Sequence, residues 1–279
     1  MSTSSEAASA SSGTAGVNPG TVGKVGTVGY EVAESVARIT LDAPQRRNAL
    51  SADLLGQLRR RLDEAAADPR VRSVVLGHTG PVFSSGMDLT TVAGVAAEDQ
   101  PIVAFPALLQ RLWEFDKPVI AQVQGKARAG GIGLIAACDI AVGAEHADFA
   151  FTEVRLGLVP AVISVPVLPR VAPRPALELF LTGETFGAAR AREIGLLNSV
   201  SDDVPAEVAR YTAMLRLCEP AALAGVKQLL RRDRGSLSMA AELAEMSQLS
   251  AGYFASPQAQ EGIAAFAAKR PPSWAAEAE

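Results

Sequence analysis

The chain has 279 residues, of which 48% are hydrophobic and 20% charged, with a net charge of −4 at neutral pH. This balance is ordinary for a soluble globular protein, and it offers no basic stripe for nucleic acid. The longest apolar runs are far shorter than the roughly 20 residues that span a bilayer, so we expect no membrane segment and a cytoplasmic location. Cys138 and Cys218 lie far apart and lack metal-ligand spacing, so we expect no bound metal.

The N-terminal segment is distinct in composition from the rest of the chain. Residues 1–29 are rich in Ser, Ala, Gly, Thr and Val, and they contain one Glu and one Lys. They lack the basic start and continuous apolar core of a secretory signal, and they contain no arginine, which argues against a transit peptide. We therefore predict a disordered tail over residues 1–29.

The next part of the chain alternates between strand and helix patterns. Hydrophobic alternation predicts one strand over residues 30–42, which Pro44 ends, and Ser51 is a candidate N-cap for a helix to about Ala67. Further on, strands are predicted at 73–79, 118–123 and 139–143, and helices at 102–115 and after residue 130. This alternation predicts an α/β fold with a largely parallel sheet.

Helical patterns dominate after Pro160, where the run 197–200 alone looks extended. Several of these helices are rich in alanine and carry little charge on some faces, so we expect part of this region to be buried between subunits. The predicted helices cover residues 161–171, 174–181, 188–194, 205–217, 220–232, 237–255 and 257–269.

A glycine turn at residues 130–133 carries the clearest chemical signal. Gly130, Gly131 and Gly133 follow a predicted buried strand and open a small-apolar helix. This arrangement brings bare peptide N–H groups to a helix N-terminus, which suits an anion or a developing oxyanion. Tight backbone packing between strand and helix is the other interpretation. The strand at 73–79 also leads to a small-residue turn, at Gly86, and two such turns can each offer one N–H to the same oxygen.

These two turns carry a resemblance to a known family. Residues 83–89 (Phe-Ser-Ser-Gly-Met-Asp-Leu) and 125–139 resemble the enoyl-CoA hydratase/isomerase (crotonase) family. The resemblance implies a crotonase-like spiral of β/α units, a β-β-α superhelix, over residues 30–200. It also implies a helical C-terminal trimerisation region over residues 201–279, and a homotrimer or a dimer of trimers. Supporting motifs follow in family order at residues 45–50, 151–160, 181–183, 188–197 and 261–270.

The resemblance also assigns catalytic roles. It places two oxyanion-binding backbone N–H groups on Met87 and Gly130, and it makes Glu153 the proton carrier, although Ala129 replaces the first glycine of the usual triplet. Placed near an apolar pocket, Glu153 is expected to have a raised pKa. The residues alone also allow other interpretations. Met87 can be a partly buried apolar plug, and Glu153 can be a surface carboxylate or the ion-pair partner of Arg155.

One residue departs from the two-glutamate pattern of many hydratases in this family. Gly133 stands where those relatives carry a first glutamate on the helix. A single carboxylate can hydrate a trans-2-enoyl-CoA by shuttling one proton, but it also suits a Δ3,Δ2-enoyl-CoA isomerase. Asp88, Asp148 or Glu184 are candidate substitutes, and nothing in the sequence selects one. A catalytically silent acyl-CoA-binding protein is a third interpretation.

The resemblance further implies contacts with an acyl-CoA thioester and no cofactor besides the CoA of the substrate. Arg46 and Arg47 are candidates for the CoA phosphates, which arginine can bind through two N–H groups, although a solvated turn explains them equally well. Phe266 and Lys269 match residues that reach CoA in relatives, often across a subunit boundary, whereas a lysine ending a helix is commonly a dipole partner. Val162 and Ile163 are expected to narrow or line the acyl pocket. The further candidate substrate contacts are Ser85, Gly86, Asp88, Gly131, Gly133 and Pro160.

Overall fold

A computed structural model describes residues 26–88, 101–231, 248, 252 and 256–276. The strands within these ranges are β1 (Thr27–Ala33), β2 (Val36–Asp42), β3 (Ser73–His78), β4 (Val82–Ser84), β5 (Val119–Val123), β6 (Lys126–Arg128), β7 (Ile140–Ala144), β8 (Asp148–Ala150), β9 (Phe186–Gly187) and β10 (Ser199–Ser201). The helices are α1 (Ala52–Ala67), α2 (Pro101–Trp113), α3 (Gly130–Ala137), α4 (Ala161–Val167), α5 (Pro173–Thr182), α6 (Ala188–Glu193), α7 (Val204–Arg216), α8 (Pro220–Arg231), α9 (Pro257–Ala267) and α10 (Ser273–Ala276).

The larger sheet has six strands in the order β1-β2-β3-β5-β7-β10. Its neighbours are parallel from β2 onward, and β1 alone pairs antiparallel, with β2. Strands β3 and β5 are almost wholly buried, as expected for parallel strands covered on both faces. The predicted α/β alternation and largely parallel pairing are therefore confirmed.

The first predicted strand is wrong, because residues 30–42 are not one strand. β1 and β2 form a hairpin whose turn residues, Glu34 and Ser35, have φ values of +49° and +62°. Two-residue turns of this kind usually carry Asn or Gly, which accept positive φ readily, so Glu-Ser gave no turn signal. β1 also begins at Thr27, inside the predicted tail of residues 1–29, whose first 25 residues lie outside the described ranges.

Helix α1 forms as its sequence predicts. The Ser51 hydroxyl accepts a hydrogen bond from the Leu54 N–H at 3.2 Å, a capping interaction that typically contributes about 1 kcal/mol. Its leucines repeat at helical spacing on one face and pack under the larger sheet, which fixes the segment before the Met87 turn. The buried residues of this face are Leu54, Leu55, Leu58, Leu62 and Ala65.

A second, four-stranded sheet was missed from the sequence. Its order is β4-β6-β8-β9, with β4, β6 and β8 parallel and β9 antiparallel to β8. Each of these strands has only two or three residues, too few for an alternating pattern to show. The expectation that 197–200 alone is extended after Pro160 is therefore wrong, because Phe186–Gly187 forms β9.

The C-terminal part of the described chain is helical, and β10 is the last strand within the described ranges. Helix α4 ends at Val167 and not at residue 171 as predicted, because Pro169 has no N–H to continue the helical hydrogen bonds. The helix predicted over 237–255 lies outside the described residues, apart from 248 and 252. None of the described helices combines the length and the apolar character that crossing a membrane requires.

Candidate active site

Three turns of the chain meet at one edge of the four-stranded sheet. β4, β6 and β8 are neighbours and run in the same direction. Their carboxyl ends therefore lie side by side, and this is the edge where open α/β sheets place their ligands. Met87 lies just after β4, Gly130 just after β6 and Glu153 just after β8. The three predicted catalytic residues thus come from three adjacent turns.

The turn after β4 packs directly on the turn after β6. Gly86 has a φ of +90°, a left-handed conformation that favours glycine, and its N–H donates to the Ser84 hydroxyl at 3.2 Å. A Cβ placed on Gly86 would lie 3.0 Å from the Ala129 Cβ and 3.5 Å from the Gly130 nitrogen. Glycine at position 86 is what allows the two turns to approach this closely.

The Met87 N–H is turned away from the backbone pairing around it. The Leu50 N–H donates to the Gly86 carbonyl at 2.8 Å, and the Asp88 N–H donates to the Leu50 carbonyl at 3.3 Å. This bridge uses the peptide groups on either side of Met87, whose own N–H has no acceptor within the described parts of the chain. The Met87 side chain is half-buried against the core, so it also fills the apolar role considered from the sequence.

The Gly130 N–H is the first of helix α3, where no intrahelical acceptor exists. The preceding Ala129 is pinned on both sides: its N–H donates to the Ala150 carbonyl at 3.1 Å, and its carbonyl accepts from Ile132 at 2.9 Å. No described residue accepts a hydrogen bond from the Gly130 N–H. Because helix N-termini carry partial positive charge, this N–H favours a developing negative charge.

The other two glycines of the turn face protein atoms. A Cβ on Gly131 would lie 2.9 Å from both the Cβ and the carbonyl oxygen of Ser84, so glycine there lets α3 pack on β4. A Cβ on Gly133 would lie 2.7 Å from the Cγ2 of Ile163. Pro160 is the buried N-cap of α4, the helix that carries Ile163. The tight-packing interpretation therefore fits Gly131 and Gly133, and their contact with substrate stays a prediction.

Glu153 lies in a short 3-10 helix, Thr152–Leu156. Its side chain is half-buried, and its Oε2 is buried with no hydrogen-bond partner among the described residues. Burial raises the pKa of the Glu153 carboxyl, against a smaller lowering by its own backbone N–H. Arg155 is exposed and does not pair with it. The expected raised pKa is confirmed, and the ion-pair alternative is not what the structure shows.

The three acids considered as substitutes for a first glutamate are engaged or exposed. Asp88 forms an ion pair, and Asp148 is paired with the basic side chains of β6. Burial acts to raise the pKa of Asp148, but those bases outweigh it and the pKa is lowered. Glu184 is exposed. Glu153, by contrast, has a raised pKa. No group of three described His, Cys, Asp or Glu side chains is placed to hold a metal ion.

The two candidate CoA-binding arginines lie beside the Met87 turn. The Arg46 Nη2 is 2.6 Å from the Oδ2 of Asp88, whose side chain is only 4% exposed, while that of Arg46 is 49% exposed. Arg47 is exposed, and its carbonyl accepts a hydrogen bond from the half-buried Ser85 at 3.0 Å. Arg46 therefore stabilises the turn after β4, a contact that the sequence did not reveal.

Asn48 is a further residue of the site that sequence reasoning missed. Its buried Oδ1 accepts from the Ala43 N–H at 2.7 Å, and its Nδ2 donates to the carbonyls of Thr79 and Val82 at 3.1 and 2.7 Å. Its φ of +49° lies in the left-handed region, which Asn tolerates better than most residues. Asn48 thus ties the segment before α1 to the segment that leads into β4.

The structure does not bring Phe266 and Lys269 to the three turns of their own chain. Phe266 is 87% exposed, and Lys269 is exposed just beyond the end of α9. Their segment is anchored near the amino end of β3, where the Arg72 Nη1 donates to the Trp274 carbonyl at 2.8 Å. Met87 lies beyond the opposite, carboxyl end of that strand.

Other proteins are similar to this chain in sequence, and solved structures are similar to it in fold. A zebrafish (Danio rerio) protein named enoyl-CoA hydratase domain-containing protein 3, mitochondrial, is 33% identical over 86% of this chain and 84% of its own. The 2,3-dehydroadipyl-CoA hydratase of Escherichia coli K12 is 34% identical over 86% of this chain and 95% of its own. A crystal structure of an enoyl-CoA hydratase/isomerase from Marinobacter aquaeolei superimposes with a TM-score of 0.82 at 31% identity, covering 89% of this chain and 99% of that one.

The family model for enoyl-CoA hydratase/isomerase matches residues 31–277, nearly the whole chain. The match includes all three turns at the edge of the four-stranded sheet, and the structural likeness confirms the crotonase-type α/β fold expected from the sequence. The chain therefore belongs to the enoyl-CoA hydratase/isomerase family of acyl-CoA enzymes.

Proposed function

We propose that this protein adds water to a trans-2-enoyl-CoA thioester. The observation that carries the proposal is the meeting of two N–H groups without acceptors among the described residues, on Met87 and Gly130, with the half-buried carboxyl of Glu153. Two such donors stabilise an enolate oxygen, and losing one typically costs about 3–4 kcal/mol of transition-state stabilisation. The similarity to a protein named as a hydratase, the 2,3-dehydroadipyl-CoA hydratase of Escherichia coli, supports hydration ahead of other thioester reactions.

One carboxyl suffices for the proposed hydration. Ionised Glu153 accepts a proton from water as the water oxygen bonds to the β-carbon, and the double-bond electrons move through the α-carbon to the thioester oxygen. The N–H groups of Met87 and Gly130 hold that enolate. Glu153 then delivers the same proton to the α-carbon, so that H and OH have been added and the carboxylate is regenerated. A raised pKa suits a group that both accepts and donates a proton.

The second candidate function is Δ3,Δ2-enoyl-CoA isomerisation. It is favoured by Gly133, which leaves the α3 side of the site without a carboxyl. In this reaction Glu153 removes a proton from the α-carbon of a 3-enoyl thioester and returns it to the γ-carbon, so the double bond moves into conjugation. The enolate intermediate and its two N–H donors are the same as in hydration. A catalytically silent acyl-CoA-binding protein is the candidate from another class.

The substrate-binding part of the proposal extends to the coenzyme and to the assembly. Arg46 and Arg47 are proposed to meet the CoA phosphates, since both are exposed beside the Met87 turn. Phe266 and Lys269 are proposed to reach the CoA of a neighbouring copy in a homotrimer or a dimer of trimers. The proposed reactions need no cofactor beyond the CoA of the substrate. Large exposed apolar side chains outside the three turns support burial between copies, among them Val165, Leu177, Leu181 and Leu230.

An absorbance assay tests the proposal and separates the candidates. Hydration consumes the conjugated enoyl absorbance of a short trans-2-enoyl-CoA, whereas isomerisation of a 3-enoyl-CoA creates it. Glu153→Gln should abolish either change, and Glu145→Gln, at an exposed carboxyl, should leave it intact. Thioester binding by calorimetry without turnover of either substrate would instead indicate the silent binder. Equal rates for the wild type and Glu153→Gln would show that the assigned proton carrier is wrong.

A further inference from the structure

An apolar wall covers the first turn of α3. A Cβ on Gly130 would lie 3.1 Å from the Leu50 Cδ1 and 3.4 Å from the Phe105 Cζ, and a Cβ on Gly133 would lie 3.6 Å from the same Phe105 atom. Residues three apart lie on one face of a helix, so Gly130 and Gly133 face the same apolar wall. The part of this wall beside Gly133 adjoins the part beside Gly130. Ile163 completes it, with its Cγ2 at 2.7 Å and its Cβ at 3.2 Å from a Cβ on Gly133.

Ile163 has little freedom to move out of this position. Its side chain is 3% exposed and belongs to the core, and it lies on α4, which packs along α3. A β-branched side chain in a helix has one strongly preferred χ1 rotamer, so moving the Cγ2 methyl aside is costly. A contact of 2.7 Å is shorter than two carbon atoms tolerate, so any side chain at position 133 forces a rearrangement.

We infer that Ile163 is a specificity-determining residue, an inference that rests on the proposed function. It fills the volume in which a side chain at position 133 would stand, and it keeps that face of the site apolar. Proton transfer at the reacting carbons is thereby limited to Glu153. Ile163 and Gly133 together set the balance between isomerisation, which needs one proton carrier, and hydration, which a second carboxyl would accelerate.

Four variants test this inference against the wild type: Gly133→Glu, Ile163→Ala, the double variant that combines them, and Gly133→Glu with Val162→Ala. Ala at position 163 keeps only the Cβ contact of 3.2 Å, which a shift of a few tenths of an ångström relieves. Val162 is the matched control, because it lies on the same helix, is half-buried and is not among the atoms nearest a Cβ on Gly133. Each protein is compared by thermal unfolding and by its hydration and isomerisation rates.

The inference predicts strong coupling between positions 133 and 163. Gly133→Glu alone should lower the melting temperature by about 3–10 °C, and Ile163→Ala should recover most of that loss while Val162→Ala does not. The double variant should hydrate a trans-2-enoyl-CoA about tenfold faster than Ile163→Ala does, with a higher ratio of hydration to isomerisation. If Gly133→Glu and Ile163→Ala changed the melting temperature additively in the double variant, the inferred steric contact between positions 133 and 163 would be wrong.

The specificity role has its own contradicting outcomes. A stable double variant without any gain in hydration would show that the contact is structural only, and so would an equal gain in Gly133→Glu alone. Failure of the proposed function looks different, since the wild type would then lack any Glu153-dependent turnover. In that case the specificity role of Ile163 is wrong together with the proposed function. The melting temperatures of the wild type, the two single variants and the double variant still show whether Ile163 excludes a side chain at position 133.

Discussion

Gly86 and Gly130 approach so closely that a Cβ on Gly86 would lie 3.5 Å from the Gly130 nitrogen. The two glycines belong to different turns, one after β4 and one after β6, and the short four-stranded sheet holds those turns together. This approach brings the Met87 and Gly130 N–H groups to one edge of that sheet. The geometry of the proposed oxyanion-binding site therefore depends on backbone packing, which single substitutions in the two turns can disturb.

Gly86→Ala is expected to lower kcat about 100-fold, comparable with the loss of one oxyanion donor. The added Cβ would meet the Ala129 Cβ at 3.0 Å and the Arg128 carbonyl oxygen at 3.3 Å, and the φ of +90° strains any L side chain. Both turns must then move apart. Steady-state kinetics checks this, with Gly56→Ala in α1 as the control, since its new Cβ would make only an ordinary contact of 3.7 Å with the Arg60 Nη1. An unchanged kcat in a folded variant would contradict the assignment.

Ala129→Gly is expected to stabilise the protein by about 1 kcal/mol. Ala129 has a φ of +48° and a ψ of −118°, a backbone conformation that glycine adopts without the steric cost that alanine carries. Denaturant unfolding measures the change. Ala136→Gly, inside α3, should by contrast lose about 1 kcal/mol, because glycine costs helix stability there. Lower stability of Ala129→Gly than of the wild type would show that this backbone is not strained.

Glu153→Gln should stabilise the fold in a pH-dependent manner. Burial raises the pKa of the folded-state carboxyl above its unfolded value, so the folded state binds this proton more tightly. The resulting stabilisation of the wild type is fully present below the unfolded pKa, and it is lost as the pH rises through the folded pKa. The advantage of Glu153→Gln should therefore appear over that window and level off above it, by about 1.4 kcal/mol per pKa unit of separation. Unfolding curves with a pH-independent difference would contradict burial of the charge.

Arg46 and Arg47 are both proposed to bind the CoA phosphates, but only the loss of Arg46 is expected to lower kcat as well. Arg46→Met removes the cation beside the buried Asp88 carboxylate and so disturbs the Met87 turn, which should lower kcat about tenfold. Arg47→Met removes an exposed charge only, and it should raise KM for the CoA thioester with kcat nearly unchanged. Steady-state kinetics of both variants on the same thioester separates the two roles. Identical effects of the two changes would show that Arg46 has no positioning role.

The larger sheet and most helices could be predicted because their sequences are long enough to show a period. Helix α1, with its Ser51 cap and its row of leucines, is one example, and the buried strand β5 is another. The four-stranded sheet could not be predicted, since strands of two or three residues carry no alternation. The β1–β2 turn could not be predicted either, because Glu34 and Ser35 have positive φ values but are not the Asn or Gly that usually signals such a turn.

The candidate site shows a similar division. Met87, Gly130 and Glu153 could be named as candidates, because the motifs that resemble the family follow one another in order along the chain. The contacts of Arg46 with Asp88 and of Asn48 with Thr79 and Val82 could not be predicted, because these partners lie 31 to 42 positions further along the chain and depend on tertiary packing. For the same reason the sequence showed that position 133 lacks a carboxyl, but not that Ile163 fills the space beside it.

In the proposed mechanism Met87, Gly130 and Glu153 form and hold the enolate of a CoA thioester, whichever product follows. Exchange of the α-protons of a saturated acyl-CoA such as butyryl-CoA in deuterated water tests it most directly, because this exchange needs only the base and the oxyanion donors. Mass spectrometry should show deuterium incorporation by the wild type, and a rate at least about 100-fold lower for Glu153→Gln at equal thioester affinity. Equal incorporation by the two proteins, or none by the wild type while it binds the thioester, would contradict the claim.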